Sequence, residues 1–218
     1  TGRLAGDAVL AIEGRVPSVA PFATSAGIDA DGTLALAARI EHGDAATAIE
    51  ADLRLAEAAL PAPLDLLLGA EPTVAARARL VAGEVVIERL TVAGLAATLD
   101  LAGTASETLD LAGTLALPAL TALAAPLAGE AQVEFALRGA ASDPDATLRL
   151  DAPRLAVEGV GEGELALTAE ASRLVSAPRV SVQGTGSLGG REIAPRRSTV
   201  QPTEHAFLLS CGRLRAGP

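Results

Sequence analysis

The residues that could do chemistry are few and widely spaced. The segment "GTGSLGG" carries Gly184, Gly186 and Gly189 in the spacing G-x-G-x-x-G, directly after the strand-like "RVSV". That spacing serves a dinucleotide only where a helix begins and lends its N-terminal dipole to the pyrophosphate. Here "REIAPRRS" follows and Pro195 interrupts any helix, so the segment reads as a flexible turn. "GVGEGE", with Gly159, Gly161 and Gly163, reads the same way.

His42 and His205 stand far apart, and Cys211 is the one thiol, so no zinc-ligand spacing exists. Asp143 and Asp145 in "SDPDAT" offer carboxylates, but the ordered oxygen ligands of a calcium loop, ending in Glu, are missing. A turn preset by Pro144 and capped by its flanking Asp residues is expected instead. No G-x-S-x-G occurs, and no His is placed to serve a nucleophile. The other carboxylates alternate with apolar residues, as on the wet face of a sheet, and do not form an acid–base pair. The sequence therefore offers no catalytic residue, no metal site and no cofactor site, and reads as a protein that is not an enzyme.

What would position side chains here is a set of strands. Leu99–Thr104 and Leu109–Thr114 both read "LDLAGT", ten residues apart. A segment written twice does one physical job twice, and alternating Leu-Asp-Leu is strand patterning. "GEAQVEFALRG" sets Ala131, Val133, Phe135 and Leu137 against Glu130, Gln132, Glu134 and Arg138. "DATLRLDA" sets Ala146, Leu148 and Leu150 against Thr147, Arg149 and Asp151. "GELALTAEAS" sets Leu165, Leu167 and Ala169 against Glu164, Thr168 and Glu170. Upstream, "GTLALAARI", "IEADLRL" and "GEVVIERLTVAG" are strand-like, the last with a parity slip near Glu88 that predicts a bulge.

Glycines punctuate these runs, and short strands at intervals of roughly ten residues with turn signals between them suggest an antiparallel all-β array. Two Ala/Leu-rich stretches, residues 57–70 and 117–129, have helical spacing and read as short helical insertions. The fold class expected is thus all-β: a repetitive antiparallel curled sheet with one or two short helical insertions. Residues 1–190 would form it, and residues 191–218, where alternation stops, would be a divergent, poorly ordered tail.

Composition narrows the function. Half of the 218 residues are hydrophobic, which argues against disorder, yet only three are aromatic, all Phe. A core of this size normally draws on aromatic side chains of about 150–250 Å² each. The net charge is −10 and the cations are scattered Arg, so no basic stripe exists for nucleic acid. One cysteine excludes an internal disulfide. The uncharged run of residues 111–129 approaches the length of a membrane span, but Pro118, Pro126 and Gly113 make it a strand followed by a short buried helix. The start "TGRLAGDAVL" and the lack of methionine suggest a piece of a longer chain.

The apolar face remains to be interpreted. Its aliphatic residues either close on one another in a sandwich or solenoid, or line an open or half-closed sheet that hosts acyl chains. In the second case the lipid-facing residues are Leu99 and Leu101, then Leu109, Leu111, Leu115 and Leu117, then Val133, Phe135 and Leu137. They continue through Leu148, Leu150, Leu155 and Val157 to Leu165 and Leu167. A closed structural or adhesive solenoid of a secreted surface protein is the alternative, and it would need a regular coil of about 20–25 residues. An outer-membrane barrel would need aromatic girdles that this chain lacks.

Residues 109–172 resemble the repeats of the TamB family, the translocation and assembly module proteins of Gram-negative bacteria. The likeness lies in an alternating strand with a central Gly, "LPAL", an Ala-rich segment, renewed alternation closed by Gly139, and then "DPDATLRL". Residues 74–106 fit more loosely. The resemblance implies a curled β-groove, polar outside and apolar inside, in the periplasmic part of an inner-membrane-anchored protein. It further implies a role in outer-membrane biogenesis, by conducting phospholipids between the membranes or by assisting outer-membrane protein assembly. The partners implied are phospholipid acyl chains and an Omp85-class barrel reached through parts absent here. The chain would be a middle segment of such a protein.

Overall fold

The computed structural model describes residues 7–25, 27 and 29–200. Twelve strands follow one another in sequence order and form one antiparallel sheet. They are β1 (Ala8–Val16), β2 (Asp31–His42), β3 (Thr47–Ala59), β4 (Thr73–Val81), β5 (Glu84–Ala93) and β6 (Thr98–Ala105). After them come β7 (Thr108–Leu117), β8 (Leu127–Ala140), β9 (Asp145–Val157), β10 (Gly161–Ser172), β11 (Arg179–Leu188) and β12 (Arg191–Val200). The sheet is open, with β1 and β12 at its two edges. An antiparallel meander has no coil repeat, so the solenoid alternative does not describe it. Among the described residues no helix is long and apolar enough to cross a membrane.

Tight turns suit this meander. Ala82 and Gly83 both have positive φ and join β4 to β5 as a two-residue hairpin, and Gly189–Gly190 do the same between β11 and β12. Such turns carry a twist that matches the strands they connect.

Among the described residues helical structure is confined to one margin of the sheet. Helix α1 (Ala20–Ser25) joins β1 to β2, and α2 (Leu64–Leu68) joins β3 to β4. A single 3-10 turn, Leu120–Ala122, lies between β7 and β8. The helix expected over 117–129 is thus only this turn: Leu117 ends β7, and β8 has already begun at Leu127. Pro118 and Pro126 leave too short a run between them for more.

Regular structure continues past residue 190. Strand β12 pairs with β11 over Arg191–Val200, and the irregular step opposite Thr185 falls at Ala194 and Pro195. An edge strand and a bulge are the two places a sheet tolerates proline. Residues 201–218, with His205 and Cys211, lie outside the described residues.

Four strands carry a bulge. The register slips at Glu88 in β5, where the alternation predicted it. It slips also near Glu57 in β3, at Pro153–Arg154 in β9, and in β12. Bulges bend a strand and deepen its twist, the local change that a curled sheet requires.

Candidate functional site

The strand register sorts side chains into two faces. Partners directly opposite in an antiparallel ladder share a face, so a row can be followed across the sheet. One row runs Leu10, Ile40, Ile49, Ala78, Ile87, Gly103, Leu111, Leu137, Ala146, Ala171 and Val180. The next runs Ile12, Ala38, Ala51, Ala76, Leu90, Leu101, Gly113, Phe135, Leu148, Ala169 and Val182. No charged side chain interrupts either row over eleven strands. Phe135 shares the second row with Gly113, whose missing side chain leaves the space its ring tip occupies.

All fifteen residues named from the sequence fall on this face. Leu99 lies opposite Leu115, and Leu115 opposite Val133. Val133 opposes Leu150, which opposes Leu167. Leu101, Phe135 and Leu148 belong to the second row, and Leu111 and Leu137 to the first. Leu109 opposes Ala105 and Gly139, Leu117 opposes Ala131, and Leu165 opposes Ala152. Leu155 and Val157 stay on the face because the bulge at Pro153–Arg154 shifts parity by one residue.

Among the described residues no second layer covers the face. Most of the fifteen are half-buried by their neighbours, and Leu148 is 37% exposed. Among the described residues the buried hydrophobic cluster lies at the margin that bears the helical insertions. There Leu117, Ala131, Ala152 and Ala97 pack under Leu120 of the 3-10 turn, with Leu67 of α2 and Leu123 against them. Burial of these aliphatic groups, at about 25 cal/mol per Å², anchors the insertions to the sheet.

The sequence reading missed how far the face extends. Leu10 and Ile12 in β1 and Val74, Ala76, Ala78 and Leu80 in β4 also belong to it. In "TVAARARLV" alanine at alternate positions hides the pattern, although Arg77 and Arg79 mark the opposite parity.

The other face is charged and self-paired. Arg77–Glu50 (3.3 Å), Arg138–Asp110 (3.0 Å) and Arg89–Asp100 (3.1 Å) bridge neighbouring strands, and Arg154 pairs with Glu130. The Thr91 hydroxyl donates to Asp100 at 2.6 Å, and with the Arg89 guanidinium it holds that carboxyl below its usual range. A depression of about 770 Å³ lies between Arg89, Glu134, Arg138 and Arg149, over Ala102, Ala112 and Ala136, and the strand positions Leu101, Gly113, Phe135 and Leu148 also border it. Its arginines are all ion-paired, so it is a gap between charged side chains standing on an alanine floor.

Asp143 and Asp145 do more than cap their own turn. Asp143 accepts hydrogen bonds from the amides of Val175 and Ser176 at 3.0 and 3.1 Å, and from the Ser176 hydroxyl at 2.5 Å. Asp145 accepts one from the Arg173 amide at 2.9 Å. The pair thus latches the β10–β11 loop to the β8–β9 turn. The Ser176 hydroxyl, then the two amides, hold the Asp143 carboxyl below its usual range. His42 is structural, its Nδ1 bonded to the Thr47 hydroxyl at 2.8 Å across the β2–β3 turn. Gly184 and Gly186 sit within β11, not in a turn. A side chain on Gly186 would collide with the Glu164 carbonyl. Among the described residues no cluster of metal-ligating side chains exists.

The family model described as "TamB, N-terminal domain" matches residues 74–182, half of the chain. No curated protein matches the sequence, and no solved structure matches the fold.

Proposed function

The chain belongs to the TamB family, and from that premise we propose that it is a segment of an apolar β-trough that conducts phospholipid acyl chains between the inner and outer membranes. It would act in the periplasm, as part of an inner-membrane-anchored protein that serves outer-membrane biogenesis and cooperates with an Omp85-class barrel. The observation that carries this reading is the pair of aliphatic rows that cross eleven strands without a charge and without a covering layer.

Acyl chains are fluid, and they gain about 0.8 kcal/mol per methylene removed from water without demanding fixed geometry. A wall of Leu, Val and Ala offers such burial at every point. Convergent polar groups, which fix the pose of a small ligand, would only slow a moving chain. The charged outer face keeps such a wall in solution.

The test is native mass spectrometry of the purified chain, with phospholipid quantified after solvent extraction. Co-purifying phospholipid in a folded preparation is the expected result, and Leu111→Arg or Phe135→Arg should reduce it. A folded chain free of lipid, and unable to take it from phosphatidylethanolamine–phosphatidylglycerol vesicles, would overturn the reading.

A further inference from the structure

Two insertions lie over the same margin of the apolar face, and they are held differently. Helix α2 is fixed by main-chain bonds. The amides of Leu95 and Ala96 donate to the carbonyls of Leu68 and Leu67 at 3.1 and 2.9 Å, and the Ala58 amide donates to the Ala70 carbonyl at 2.9 Å. The β7–β8 connection, residues 118–126, has no such anchorage along its length. Its bonds run from Ala122 to Ala119, from Leu123 and Ala124 to Leu120, and from Leu127 to Ala124, all within the segment or to its end. The one main-chain bond described from it to another connection is the Glu158 amide donating to the Pro126 carbonyl, 2.8 Å, at its far end. What seats it is Leu120, 5% exposed in the buried cluster, together with Leu123 packed alongside.

We propose that residues 118–126 are a hinged lid on the trough, with Leu120 and Leu123 occupying the space that acyl chains take when it lifts. This rests on the lipid reading above and adds a gate to it. Lifting the segment as a unit breaks no strand pairing, because β7 pairs with β8 only from Leu117 opposite Ala131, and Leu127 is already held by Val157. It gives up two main-chain bonds, both at the far end of the segment, from the Leu127 amide to the Ala124 carbonyl and from the Glu158 amide to the Pro126 carbonyl, while the bonds within 119–124 travel with the lid and neither flanking proline has a donor to lose. The side-chain contacts surrendered, those of Leu120 and Leu123, are aliphatic, and an incoming acyl chain replaces them in kind, so lid and lipid compete for one surface. Binding to the lifted state alone shifts the population toward it.

The lid is tested by uptake of a fluorescent phospholipid from phosphatidylethanolamine–phosphatidylglycerol vesicles into the purified chain, with circular dichroism as the fold control. The Leu120→Ser/Leu123→Ser variant should take up lipid about tenfold faster than wild type, the change that about 1.4 kcal/mol of lost seating gives. If that variant fails to fold, Leu123→Ala alone, at the less buried position, should still be faster. An unchanged or slower rate in a folded lid variant overturns the lid. If that happens while Leu148→Arg lowers uptake, the trough stands and only the gate falls. If wild type and lid variants all take up nothing, trough and lid fall together.

Discussion

On the proposed lipid reading, Leu148→Arg separates lipid capture from folding. Leu148 lies in β9 between Phe135 and Ala169, on the apolar face, and is 37% exposed. Burying a leucine fully is worth about 1.5–3 kcal/mol, so its roughly two-thirds burial contributes about 1–2 kcal/mol. An arginine stem recovers part of this by lying along the wall while its head reaches water. The net cost is about 1 kcal/mol, or a melting shift of roughly 2–4 °C for a domain of this size.

The effect on an acyl chain is larger. One strand spacing of about 4.8 Å spans about four methylenes, and a guanidinium standing there denies them a dry surface. At about 0.8 kcal/mol each this is about 3 kcal/mol, on the order of a hundredfold in affinity. The assay is extracted phospholipid per folded chain, beside thermal melts followed by circular dichroism. Val133→Arg, at a position 9% exposed, is the contrasting control. It forces a charge into a buried position between Leu115 and Leu150 at a cost of several kcal/mol and should unfold the region. A Leu148→Arg protein that melts within a few degrees of wild type and carries undiminished lipid would refute the assignment of this face.

Three further outcomes follow from the geometry. Gly129 has φ +110°, and a side chain there would overlap the Arg154 carbonyl, so Gly129→Ala should cost about 3 kcal/mol or more by thermal melt. Gly139→Ala, at φ +99° with open space around it, should cost only the strain of about 1 kcal/mol. Asp143→Ala should release the β10–β11 loop, seen as lost exchange protection of the Val175 and Ser176 amides while strand amides are unaffected. Because the folded Asp143 carboxyl titrates below its unfolded value of about 3.9, the latch is complete above that value and is lost as pH falls through the lower one. Wild-type protection of these amides should therefore be equal at pH 7 and pH 5 and fade only in stronger acid. Deleting Pro153 removes the extra residue of β9 and leaves Leu155 and Val157 on the apolar face, so the sheet should persist with less curl. Small-angle scattering would then show a longer maximum dimension, and an unchanged profile or an unfolded chain would count against the bulge as the source of curl.

Most of the sheet was legible because alternation is a strong signal wherever its apolar members are large. Leu99 to Leu111 and Val133 to Leu137 announce their strands, and a single parity slip located the bulge at Glu88. The signal failed for two physical reasons. In β4 the positions on the apolar face include Ala76 and Ala78, whose hydropathy barely differs from that of an exposed alanine. In residues 117–129 the spacing of Leu120, Leu123 and Leu127 resembles a helix, but the flanking prolines cap its length and the leucines are spaced to fold back onto the sheet. Long-range partners were invisible for a third reason. Asp143 meets Ser176 through the placement of two loops, and nothing in "SDPDAT" states which distant amides its carboxylate will find.

The bulges tie the sequence pattern to the form of the sheet. A flat sheet with one aliphatic face would leave that face fully in water or stack it on another sheet. Here β3, β5 and β9 each hold one residue more than the neighbour they slip against, and the surplus falls at Glu57, Glu88 and Pro153–Arg154. Each surplus bends its strand while the parity shift returns the following aliphatic residues to the same face, as Leu90 and Val92 do after Glu88. Bending without loss of facing is what a single layer needs to half-bury its own wall, and half-burial is what most of the wall shows. Because the property belongs to rows of residues, it passes through Gly103 and Gly113 without interruption. Charge placed in the row, not the loss of any one leucine, is therefore the perturbation to which such a face is sensitive.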